Sequence, residues 1–217
     1  MNRDAFLSRV GRATISSVLP APPLVSTDLP RPDAIDLMAR FRARAQAVNA
    51  VVHGPVSRHG VPRAVAGIAG GHDASRFMAW DELPASGVAT ALVSDGLERI
   101  DHEVPDEARL AHNETYRSLD IGVTGAVAGL AESGSVVLTH GPGKPRMASI
   151  VPEIHIALLE TKDIHRSLAY WAHEFPELAA ETTNLVVVTG PSRTGDIEQQ
   201  LNLGVHGPRH VHIVLIR

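Results

Sequence analysis

The 217-residue chain contains no cysteine. This excludes disulfides, a thiolate nucleophile, zinc–thiolate sites and cysteine-ligated iron–sulfur clusters within it. Aromatic residues make up 4%, too few for a platform on which bases stack. The net charge of −4 lacks the basic footprint of a nucleic-acid binder. No apolar run is long enough to span a membrane. The start, Met1 to Ser17, carries Arg3, Asp4, Arg9 and Arg12 where a secretory signal needs an apolar core. A cytoplasmic location is therefore expected. Lysine is also scarce: of 20 basic residues, Lys144 and Lys162 alone are lysine.

What remains is an ordinary globular balance, 44% hydrophobic and 20% charged, long enough to enclose a sizeable core. Residues 1–33 read as a helix over Asp4–Thr14, with Phe6, Leu7 and Val10 at helical spacing, followed by an extended arm. Pro20, Pro22, Pro23, Pro30 and Pro32 bar that arm from helix or central strand. Residues 34–217 read as one α/β domain. Asp33 is placed to cap a helix over Ala34–Val48. Strands are predicted at Val88–Ser94, Ile121–Thr124, Ser135–Thr139, Ile154–Leu159, Leu185–Thr189 and Val211–Ile216. Helices are predicted around Glu107–Ser118, Ile164–Glu174 and Asp196–Leu201. The continuously apolar Leu185–Val188 suggests a strand covered on both faces. Alternation of this kind specifies an open, mostly parallel sheet flanked by helices.

Three loops next to predicted strands carry the candidate chemistry. In Gly129–Ser135, glycines let backbone N–H groups approach a ligand, and Glu132 sets a carboxylate beside Gly134 and Ser135. A tight turn with a solvated glutamate fits the same residues. In Thr139–Arg146, His140, Gly141, Gly143, Lys144 and Arg146 form a rigid, donor-rich loop suited to a carboxylate or phosphate. Pro145 stands where a Walker loop needs Ser or Thr, and an exposed basic turn is the alternative. In Thr189–Asp196, a Gly190-Pro191 turn leads through Ser192, Arg193 and Thr194 to an expected helix start at Asp196. Backbone donors, hydroxyls and a guanidinium there suit an anion. Simple helix capping is the other reading.

His206, His210 and His212 look like metal ligands at first sight. The Gly207-Pro208 break keeps His206 and His210 off a shared helix face, and no cysteine or acidic cluster joins them. No metal is expected. His206 is kept as a ligand-loop candidate. No G-x-S-x-G elbow occurs, so a serine triad has no support.

The stretches IGVTGAVAGLAESGSVVLTHGPGKPRMASIVPEIHIALL and VVTGPSRTGDIEQQLNLGVHGPRHVHIVLI closely resemble the lactate-utilization domain family. The resemblance covers about the last hundred residues strongly. It implies a bacterial cytosolic protein that works with iron–sulfur partner proteins to oxidise L-lactate to pyruvate. It also implies the fold of ribose-phosphate isomerases, glucosamine-phosphate deaminases and coenzyme A transferases. The missing cysteines suit such a system, with no cofactor in this chain and the clusters on the partners. The resemblance brings no catalytic residues with it. Two other functions stay open. One is an independent transferase or ligase using Glu132, since Ala131-Glu132-Ser133-Gly134 echoes the glutamate beside glycine of coenzyme A transferases. The other is a domain that senses a small ligand.

Overall fold

The computed structural model describes residues 3–15, 36–103, 109–178, 182, 184–195 and 201–217. The chain divides into two units, Met1–Arg31 and Pro32–Arg217. The first contains helix α1 (Arg3–Ile15), whose Asp4 suits the positive end of the helix dipole.

The second unit begins with α2 (Leu37–Ala47), β1 (Val51–Val56), α3 (Val61–Gly70), β2 (Arg76–Ala79), α4 (Val88–Ser94) and β3 (Glu98–Arg99). It continues with α5 (Arg109–Arg117), β4 (Ile121–Gly125), β5 (Ala128–Leu130), β6 (Ser135–His140), α6 (Met147–Ile150) and β7 (Ile154–Glu160). It closes with β8 (Ile164–His165), α7 (Leu168–Glu174), β9 (Asn184–Val188), β10 (Arg193–Gly195), β11 (Leu201–Leu203) and β12 (His210–Ile216).

Six strands form one parallel sheet in the order β1-β12-β7-β4-β2-β3. The expected open parallel sheet is present. A smaller sheet, β8-β5-β6-β9, pairs β6 antiparallel to both β5 and β9. Strand alternation fixes what each face meets. Val211, Ile213 and Leu215 of β12 share a core with Phe41 and Ala45 of α2 and with Val136 and Leu138 of β6. Val214 and Ile216 turn the other way, onto Val65 of α3 and Leu92 of α4. Each such fully buried side chain contributes about 1.5–3 kcal/mol relative to exposure. The edge strand β1 is guarded by Arg42 of α2, which donates to the carbonyls of Val52 (2.8 Å) and Gly54 (2.5 Å). That occupies outward acceptors on which a foreign strand would otherwise pair.

Five sequence expectations need correction. Val88–Ser94 is helix, because Gly87 at φ 81° opens it and Val88 and Leu92 bury one helical face. The first helix of the domain is capped by Asp36, which accepts from Ala39 N–H at 3.0 Å, while Asp33 lies outside the described residues. Ile164–His165 is strand, and α7 starts only after Ser167, whose Oγ accepts from Tyr170 N–H. Strand β9 lies at the edge of the smaller sheet and is half-exposed, so it is not covered on both faces. The Ser192–Thr194 segment read as a loop is partly strand, while the helix expected over Asp196–Leu201 falls mostly outside the described residues. Arg193–Gly195 pairs antiparallel with Leu201–Leu203 as a two-stranded ribbon, and residues 196–200, including Asp196, lie outside the described residues.

Candidate functional site

All six parallel strands end at one edge. β2 leads through α4 to β3 on one side, and β4 leads onward to β7 on the other. The topological switch point therefore falls between β2 and β4, where open α/β sheets characteristically hold ligands. Trp80 and Asp81 follow β2 directly, with Trp80 N–H donating to Val123 of β4 at 3.1 Å.

The Gly141-Pro142-Gly143-Lys144 loop reaches this point from the end of β6. Lys144 N–H donates to the Gly141 carbonyl at 3.0 Å, and Gly143 has φ 67°. Proline second and a left-handed glycine third are what a type II turn requires. Two bonds fasten the turn to the sheet: Asp81 N–H to the Gly143 carbonyl (3.0 Å) and Trp80 Nε1–H to the Pro145 carbonyl (3.2 Å). Asp81, Thr139, His140, Gly143, Lys144 and Thr182 line a cavity of about 430 Å³ there, within the range of small-molecule sites.

The cavity stands on a buried polar floor. His140 is 3% exposed, its carbonyl accepts from Thr182 Oγ1 at 3.0 Å, and its Nε2 lies 3.4 Å from Ser149 Oγ. Burial pushes the His140 imidazole below its ordinary pKa and Arg146 adds to the shift, against hydrogen bonding to Asn184, which favours the protonated ring. Next to it, fully buried His155 meets Thr124 Oγ1 at 2.9 Å, and its Nδ1 has no hydrogen-bond partner among the described residues. Burial, then the neighbouring His140, lowers its pKa to about 4. The floor is therefore neutral near pH 7 and adds no charge to compete with Lys144.

Lys144 Nζ sits 6.0 Å from the Trp80 ring centroid and makes no salt bridge among the described residues. Asp81 pairs instead with Arg99 (3.2 Å) and His102 (3.3 Å). A half-buried cation with no salt-bridge partner among the described residues, facing a ligand-sized cavity, can receive an anionic group.

The structure gathers His140, Gly141, Gly143 and Lys144, with exposed Arg146 just beyond them at the start of α6. It does not bring the Ser192–Thr194 loop to them. Strands β6 and β9 run antiparallel, with Val136 opposite Val188 and His140 opposite Asn184, so the loops following them open at opposite ends. Only a parallel pairing of these strands would open both loops on one edge. Arg193 donates to the Val48 carbonyl at 3.0 Å, at the carboxyl end of α2, and Gly190 packs against that carbonyl. Ser192 N–H donates to Pro208, and its carbonyl accepts from Gly204. Half-buried Thr194 lies in the ribbon.

Glu132 is at the far end too. It is partly exposed and pairs with Arg166 at 2.9 Å. Gly134 lies against the backbone of Ala45, and Ser135 Oγ bonds to Ser133 Oγ and Thr189 Oγ1, both at 2.7 Å. Exposed His206 borders a separate polar cavity of about 440 Å³ with Arg117, Asp120, Glu153 and Arg209.

His210 and His212 share a strand face, and His53 and His72 join them. His53 Nε2 meets His212 Nδ1 at 2.9 Å, and His72 Nε2 meets His212 Nε2 at 3.0 Å. The two nitrogens of one imidazole point apart, so these rings form a chain and do not converge on a point. Among the described residues no group of three or more His, Asp or Glu side chains could hold a metal ion. No helix among them is long and apolar enough to cross a membrane.

Asp81, Thr182, Thr124 and His155 went unnoticed in the sequence. Asp81 had a usable signal, a carboxylate directly after a short apolar run, but the four residues of β2 are too few to announce a strand.

The family model described as LUD domain matches residues 38–216. A protein of Neisseria meningitidis serogroup B described as uncharacterized is 35% identical over 105 residues, 48% of this chain and 45% of that protein. Lactate utilization protein C of Macrococcus caseolyticus is 35% identical over 52% of this chain and 51% of its own length. Its namesake from Halalkalibacterium halodurans is 33% identical over 66% and 64%. The chain thus matches about half to two-thirds of the length of these curated relatives. A crystal structure of a DUF162 family protein from Deinococcus radiodurans superposes with a TM-score of 0.61 at 22% identity, covering 83% of this chain and 96% of that one. That likeness bears on the fold alone.

Proposed function

The chain belongs to the LUD domain family, and from that membership we propose that it is a subunit of an L-lactate-oxidising system that holds a small carboxylate in the Lys144 cavity. One observation carries this reading. Lys144 has no ion-pair partner among the described residues, and it faces a cavity at the switch point of the parallel sheet, over a neutral floor. An ammonium on a rigid Gly-Pro-Gly turn is a preformed counter-charge for a carboxylate, with the Thr139 hydroxyl nearby as a hydrogen-bonding group. Relatives named lactate utilization protein C support lactate as the substrate. The electrons leave on iron–sulfur partner proteins, since a chain without cysteine offers no thiolates for a cluster.

Deleting the gene should abolish growth on L-lactate in a strain with no second lactate dehydrogenase, and spare growth on pyruvate. The wild-type gene should restore growth, and Lys144→Met should not, at equal protein level. Iron–sulfur proteins should co-purify with the tagged wild-type chain. Normal growth of the deletion strain on lactate sinks the proposal, and full rescue by Lys144→Met removes Lys144 from it.

A further inference from the structure

We propose that Asp81 reads the second oxygen of the ligand and makes the Lys144 cavity select 2-hydroxy carboxylates over their 2-oxo counterparts. The inference rests on the reading of that cavity as a carboxylate site. Asp81 comes off the end of β2 into the switch point, and its N–H bond to Gly143 ties it to the turn that presents Lys144. Its carboxylate lies against Gly143: a Cβ placed there would be 2.9 Å from Oδ2. The cavity therefore sets the Lys144 cation on the turn beside the Asp81 carboxylate packed against Gly143, the two making no salt bridge with each other, with Glu82 also on its wall.

Asp81 is held from outside the cavity. Arg99 Nη2 donates to Oδ1 at 3.2 Å, and His102 Nε2 lies 3.3 Å from both oxygens. Arg99 and His102 also border a second cavity on the far side of Asp81, so Asp81 forms the wall between the two. Fixed from behind, with its side chain 47% exposed, Asp81 keeps accepting lone pairs toward the ligand.

A carboxylate offers acceptors only. A ligand anchored by its carboxylate on Lys144 presents the oxygen on its next carbon to Asp81. A hydroxyl there donates to Asp81. A ketone oxygen sets acceptor against acceptor and leaves both without a proton. Sites built to bond a hydroxyl reject analogues lacking it for this reason. The expected preference for hydroxy over oxo acid is about ten- to a hundredfold.

The test is calorimetric titration of the full chain with L-lactate and with pyruvate, for wild type, Asp81→Asn and Lys144→Met. Asparagine is nearly isosteric, can donate as well as accept, and leaves the backbone bond to Gly143 intact. Wild type should bind L-lactate at least tenfold more tightly than pyruvate. Asp81→Asn should bring the two within about threefold while still binding both, and Lys144→Met should weaken both. Should Asp81→Asn melt early, Arg99→Gln with His102→Gln, which frees the carboxylate to turn, should reduce the same ratio. Equal wild-type affinities, or an unchanged ratio in these variants, overturn the role of Asp81 and leave the carboxylate site standing. Binding of neither acid, or binding unchanged in Lys144→Met, overturns both.

Discussion

Gly122→Ala is expected to yield little or no folded protein. Gly122 lies in β4, and a Cβ there would sit 1.6 Å from the Ala148 carbonyl oxygen, 2.6 Å from its carbon and 2.8 Å from Pro152 Cγ. Two of these are backbone atoms, which cannot rotate aside. Helix α6 lies this close to β4 because position 122 has no side chain, and α6 directly follows the Lys144 loop. Adding one methyl group lifts α6, uncovers buried Ala148 and Ser149, and drags residues 141–146 off the sheet edge. Overpacking of this kind belongs to the exceptional class costing more than about 4 kcal/mol, against a total stability of about 5–15 kcal/mol. For a domain of this size the melting temperature should fall by more than about 8 °C. Gly67→Ala is the control, since no atom lies within 4 Å of its added Cβ and it sits in a helix, where alanine is favoured. A Gly122→Ala protein melting within about 2 °C of wild type would show that α6 does not pack as described.

The second large effect is acid sensitivity. The pKa of His155 is about 4, lowered mainly by burial, and that of His212 is about 4, lowered by burial and then by His53, His72 and His210. An unfolded histidine titrates near 6.5. Between these values the unfolded chain binds protons that the folded chain refuses, so stability falls as pH drops. The contribution is fully present above about pH 6.5, is lost progressively down to about pH 4, and changes no further below that. For His155 the loss is about 3 kcal/mol. Urea unfolding at pH 7.5 and pH 4.5 reads it directly. His155→Leu should be less stable at pH 7.5, because it orphans the Thr124 hydroxyl, but should show a shallower acid slope. A wild-type stability flat from pH 7.5 to 4.5 would mean that these histidines take up protons as readily in the fold as in the unfolded chain.

Much of the frame is legible in the sequence alone. Strands β4, β6, β7 and β12 are almost wholly buried and announce themselves as short, β-branched, mainly apolar runs with glycine, proline or polar punctuation nearby. The His140–Arg146 loop stood out because two prolines, two glycines and two cations have no use inside a core. Short elements stayed hidden. Val88–Ser94 holds too few residues for periodicity to separate helix from strand, and its turn residue Gly87 fits either. The site was half legible. Lys144 stands out, but its companion Asp81 lies 63 positions earlier, and the two meet only where the turn after β6 bonds to the end of β2 through Asp81 N–H and the Gly143 carbonyl. Ser192–Thr194 misled for a topological reason. A strand, a Gly-Pro turn, hydroxyls and an arginine look alike at either end of a sheet, and nothing local encodes that β9 runs antiparallel to β6. Arg193 instead satisfies the end of α2, a contact across 145 positions.

We place the carboxylate in the carboxyl-edge cavity around Lys144, and not at the loop after β9. Amide shifts of the isotope-labelled chain, followed during titration with L-lactate, test it most directly. Perturbations should centre on residues 80–82 and 139–144, with affinity about ten- to a hundredfold weaker in Lys144→Met. Perturbations centred on residues 190–194, or an affinity unchanged in Lys144→Met, would contradict it.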